Sequence, residues 1–165
     1  MRQENRALKI IALIQLAGGV LGAVMAALVG PKLASQAHVP FASILPWLVP
    51  PFVLSLTAGA LLWRGGTLGE VLSVINLALQ VPVIGTSFIS YFFNSGLAVR
   101  VWLSSEGPGG FVFFGSQFHI NFAPRTTGVL IGANLVALVL LALLIYAMPE
   151  DTASDEKSHA VAHSA

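Results

Sequence analysis

Ser73, Asn76, Gln80, Ser87 and Ser90 recur at spacings of 3, 4, 7 and 3 residues. That is the spacing of one helix face. Gln15 and Asn134 are further amides set inside apolar runs. Hydroxyls and amides hydrogen-bond without carrying charge, so the chemistry open to this set is binding. Two readings follow. As interhelical glue, each contact contributes about 0.6 kcal/mol. As a ligand or translocation path, Gln15, Asn76, Gln80 and Asn134 converge on the bundle interior. Glue is the leading reading, because a proton relay needs an ionisable partner and none accompanies the amides.

A second polar set lies in the stretch FVFFGSQFHINFAPR, residues 111–125. There Gln117, His119 and Asn121 alternate with Phe118, Ile120 and Phe122. The period of two is a strand signal. Arg100, His119, Asn121 and Arg125 can form a small outward polar cluster, although ordinary solvent-facing strand positions are the leading reading. Glu70 stands three residues after Thr67, the spacing of a capping box. His159 and His163 have an i, i+4 spacing that can hold a metal on a helix. They stand in a polar tail without a third ligand, so no metal is expected. None of the four histidines lies in the middle of an apolar run, which excludes bis-histidine haem ligation between helices. There is no cysteine, hence no thiolate metal site or disulfide. No nucleophile–base set, carboxylate pair or phosphate loop is visible. The expectation is a protein without enzyme activity and without a cofactor.

The elements that position these residues are apolar. The chain has 165 residues, 56% hydrophobic and 9% charged, with a mean hydropathy of +0.83. Soluble domains carry about 25% charged residues, so the composition points to a polytopic membrane protein. A net charge of +1 gives no case for nucleic acid.

The predicted class is an all-α membrane protein: a four-transmembrane-helix bundle occupying residues 1–149, with a polar cytoplasmic tail over 150–165. The spans fall at about 8–29, 45–63, 68–91 and 127–148. A small-x-small site at Ser35–Ala37 invites a reading of span one as a cleaved signal, but its apolar run is about twice an h-region in length. Pro46, Pro50 and Pro51 restrict the start of span two and kink it. Gly65 and Gly66 supply a tight turn into span three, which kinks near Pro82. Gly18, Gly22, Ala26 and Gly30 on span one, with Gly128 and Gly132 on span four, permit close helix packing. That packing lies within the chain, or alternatively against a partner. Residues 94–126 form an outer loop with a small antiparallel β element. Its strands turn at SSEGPGG, with a second turn or bulge at Gly115-Ser116.

Arg2, Arg6 and Lys9 cluster before span one, so both termini are expected in the cytoplasm, most simply of a bacterial inner membrane. The partners implied are the bilayer and other membrane subunits, or further copies of the chain. The leading functional expectation is a non-catalytic accessory subunit or assembly factor. The alternative is a homo-oligomeric transporter or channel with an amide-lined path.

Overall fold

A computed structural model of the chain describes residues 6–122, 124 and 128–148. Helix α1, Arg6–Gln36, runs for 31 residues, about 46 Å at 1.5 Å per residue. It is long and apolar enough to cross a membrane, and the pair α2 (Phe41–Leu48) and α3 (Pro50–Arg64) passes the same test together. The two are bent by 42° at their junction. Pro50 and Pro51 open α3, and without amide hydrogens they cannot bond back into α2. Gly65 ends α3 in the left-handed region, with φ of 76°, as the turn requires. Gly66 rather than Thr67 caps α4, Thr67–Gln80, and no side chain bonds to that cap. Glu70 is instead buried in the first turn of α4, where the helix dipole favours a carboxylate.

From here the chain departs from a four-helix bundle, and the all-α expectation is corrected. Among the described residues, only α1 is by itself long and apolar enough to cross a membrane; α4 and α5 (Leu135–Ala147) are shorter apolar helices. The predicted third span is α4 followed by strand β1, Pro82–Gly85, and the start of β2, Ile89–Ser104. The predicted fourth span is strand β4, Leu130–Asn134, followed by α5. Pro82 removes an amide that a continuing helix needs, and it is the first residue of its strand, where proline is tolerated. Val83 and Ile84 are β-branched and suit the strand. Gly132 is a strand residue instead of a helix-packing one: a Cβ there would sit 2.2 Å from the Val101 carbonyl oxygen. Gly128 precedes β4.

The β element is correspondingly larger than a loop hairpin. β2 and β3 (Gly107–Phe122) pair antiparallel over their whole length, from Ile89 opposite Phe122 to Ser104 opposite Gly107. Ser105 and Glu106 make the turn within SSEGPGG. The sheet order is β1-β4-β2-β3. The start of β2 also pairs with β1, at Val83–Phe92, and its end pairs with β4, at Arg100–Asn134. One strand meets both members of the β1–β4 ribbon, so the sheet curls on itself. Gly96 and Gly115 face each other across β2 and β3, with φ of 100° and 147°. These conformations are open mainly to glycine and allow both strands to bend at one level.

Two cores result. Ile11, Ala12, Leu62, Leu77 and Leu144 join α1, α3, α4 and α5. Ala26, Phe52 and Phe93 join helices to sheet, with the Phe52 and Phe93 rings edge-on at 6.0 Å. The small residues of α1 are filled from within the chain. Gly18 lies against the Ser95 backbone, Gly22 against the Phe52 ring and Gly30 against Phe41. Outward-facing positions of the helices remain apolar: Ile10, Leu13 and Leu28 on α1, Leu68 and Val71 on α4, Leu138 and Val139 on α5.

Candidate functional site

The four amides expected to converge are all buried, and the oxygen of each accepts from a different residue. The Ser73 hydroxyl donates to Gln15 Oε1 at 3.1 Å, joining α4 to α1. The Ser55 hydroxyl donates to Asn76 Oδ1 at 2.9 Å, joining α3 to α4. Gln80 and Asn134 turn to the sheet instead. Gln80 Oε1 accepts from the Ser95 amide at 2.9 Å, and Asn134 Oδ1 accepts from the Val99 amide at 3.3 Å. Both oxygens stop the stretch of the β2 edge lying between its pairings with β1 and β4. An unpaired backbone donor in an apolar interior is costly, and these side chains replace the missing strand. Asn134 also caps α5 through the Val136 amide. Ser87 is exposed and Ser90 sits in β2, so the helical stripe ends at Gln80. Gln15 Nε2, Asn76 Nδ2 and Asn134 Nδ2 are buried without a partner among the described residues. Each such group costs about 1–3 kcal/mol.

The other polar set is held by the sheet. The bend in β2 brings Arg100 back over Phe92, with Cζ 4.2 Å from the ring centroid. His119, directly opposite Phe92 on β3, stacks on that ring at 4.9 Å and 15°. Arg100 Nη2 donates to Asn94 Oδ1 and to Gln117 Oε1 at 3.1 Å. Asn94 is fixed in turn by donating to the Gly115 carbonyl at 2.8 Å. Arg100 is only 8% exposed. It nevertheless remains a cation at neutral pH. Its partners are neutral amide oxygens and a ring.

Arg100 lines a cavity of about 250 Å³ inside the curl, walled by Val83, Ile84, Phe92, Trp102, Phe111 and Leu130. His119 and Gln117 line a second cleft of about 280 Å³ against Met25, Val29, Leu33 and Phe52. Phe92 borders both. Of the outer cluster read from sequence, Arg100 and His119 are thus joined through Phe92. Asn121 is exposed beside them, while Arg125, like His159 and His163, lies outside the described residues. No group of three histidines and carboxylates that could hold a metal is present among the described residues.

Sequence reasoning missed Ser55, Phe92, Asn94 and the role of Gln117. The last three were accessible through register. Once the turn is placed at Ser105-Glu106, Asn94 must face Gln117 and Phe92 must face His119. Ser55 had no such signal, since a lone serine in a helix usually bonds to its own backbone. Compared with known protein families, curated proteins and solved structures, the chain matches none.

Proposed function

We propose that this is a small non-catalytic integral membrane protein that works by association, as an accessory subunit or assembly factor of a larger complex in a bacterial inner membrane. α1 and the bent α2–α3 pair cross the bilayer. α4 and α5, about 21 and 20 Å long, continue into the β1–β4 ribbon, whose backbone is paired within the protein, the condition for irregular chain at membrane depth. Leu8 and Met148 pack on the same core, and Lys9 Nζ lies 5.4 Å from the Trp63 ring centroid. One end of the bundle therefore gathers the start of α1, the α3–α4 turn with Arg64 and the end of α5. The positive-inside rule assigns that end to the cytoplasm.

One observation carries the association reading: among the described residues β3 has no strand partner on its outer edge, and the far half of the hairpin presents Leu103, Val112 and Phe114 uncovered, the last 81% exposed. Open strand edges do not occur against lipid, where each unpaired group costs several kcal/mol. Such a face suits a protein, through side-chain packing and strand addition. The transporter alternative has less support, since the amides bond to neighbours and line neither cavity described above. Native mass spectrometry after gentle extraction from the source membrane tests the proposal. Recovery with a different protein in fixed ratio supports it. Recovery alone, or as copies of itself only, rejects it.

A further inference from the structure

Among the described residues, the cavity inside the curl has one charged group and no counter-charge to it. Arg100 forms no ion pair among the described residues, and its polar partners are the oxygens of Asn94 and Gln117. Both of those bonds use Nη2, so the Nε and Nη1 hydrogens are without a partner among the described residues. A buried cation held only by neutral dipoles is unfavourable unless an anion completes its shell. The guanidinium is nevertheless held in place, over Phe92 and between two amides, one itself tied to the Gly115 carbonyl. Fixed donors beside an empty space are the arrangement that binds carboxylate and phosphate. Apart from Arg100 and Ser90, the walls are aliphatic and aromatic. At about 250 Å³, the cavity is smaller than most sites that enclose a whole ligand, about 300–1,000 Å³. It has room for a head and the first carbons of a longer molecule.

We propose that this cavity binds the anionic end, carboxylate or phosphate, of a molecule with an apolar body, and that Arg100 is its charge partner. The occupant is either a membrane lipid or a free amphiphilic acid. Both offer the same chemistry to the site, one oxyanion on Nε and Nη1 and a hydrocarbon against Val83, Ile84 and Leu130. The site is independent of the exposed hairpin face, so it stands or falls apart from the association reading.

The test is calorimetric titration of the full chain in maltoside micelles with four soluble probes: dihexanoyl phosphatidic acid, octanoate, inorganic phosphate and the zwitterionic dihexanoyl phosphatidylcholine. Saturable binding of phosphatidic acid or octanoate is expected, with phosphatidylcholine at least tenfold weaker. Binding of phosphatidic acid assigns a lipid source, and binding of octanoate alone assigns a free acid. Arg100→Gln should weaken the bound probe at least tenfold. If that variant does not fold, Ser90→Leu fills the cavity while leaving Arg100 and its amides in place, and the same loss is expected. The proposal is overturned if neither amphiphilic anion binds, if inorganic phosphate binds as tightly as they do, or if the folded variant retains full affinity.

Discussion

The helical half and the curled sheet both bury polar side chains, and they treat them differently. Between helices, Ser55 meets Asn76 and Ser73 meets Gln15. There a hydroxyl donates to an uncharged amide oxygen, and the amide nitrogens of Gln15 and Asn76 are buried without a partner among the described residues. In the sheet, Arg100 is tied by one nitrogen to two amides and lines a cavity. The difference separates glue from site. A buried polar group whose neighbours are also short and neutral holds elements together. A charged group with unused donors beside an apolar cavity is arranged for something that arrives later.

The most severe way to break this comparison is to part the two halves. Gly18 touches the Ser95 backbone, and a Cβ there would lie 2.5 Å from its carbonyl carbon. Gly18→Leu should abolish the cooperative thermal transition of the protein in detergent, or lower its midpoint by more than any other change described here. Gly65→Ala, where a Cβ meets nothing within 4 Å and only φ is strained, should cost about 1 kcal/mol. Equal effects would mean that the sheet does not lie on α1.

Within the sheet, Asn94→Leu removes an acceptor from the Arg100 guanidinium and a donor from the Gly115 carbonyl. An expected loss of about 3 kcal/mol in denaturant unfolding would show that the cluster is a structural unit. A loss under 1 kcal/mol would contradict the buried geometry of Arg100. Ser116 is the seam between the halves. Its hydroxyl donates to the Gly18 carbonyl at 2.7 Å and accepts from the Gly96 amide at 3.2 Å. Ser116→Ala should cost about 1–3 kcal/mol, since the part-buried Gly96 amide loses its partner and the Gly18 carbonyl keeps only its helix bond.

The smallest effect belongs to the helical glue. After Asn76→Leu, Ser55 still has the Pro51 carbonyl at 3.1 Å, and the partnerless Nδ2 disappears. A change near 0.6 kcal/mol is expected, with any complex recovered from the membrane intact. Loss of that complex from a folded variant would turn the amides from glue into a site and remove the contrast with Arg100.

The sequence alone determined what is settled within a few residues of itself. Apolar runs place α1 and the α2–α3 pair. Pro50 and Pro51 place the bend, Gly65 and Gly66 the helical turn, and Ser105-Glu106 the hairpin turn. Each of these is decided by local sterics or by length. The fate of residues 81–85 and 129–134 was not decided locally. Val-Pro-Val-Ile and Val-Leu-Ile-Gly-Ala are apolar at every position, so neither the helical nor the strand period is marked. What makes them strands is their pairing, Pro82 with Ala133 and Gly85 with Leu130, between segments remote in the chain. That ribbon takes up both ends of β2, and the glycines at 96 and 115 permit the bend. Only then do Arg100, Asn94 and Gln117 meet. Their types were visible in the sequence, but their proximity is a product of sheet closure: residues six apart on an extended strand, as Asn94 and Arg100 are, stand about 20 Å from each other until the strand folds back.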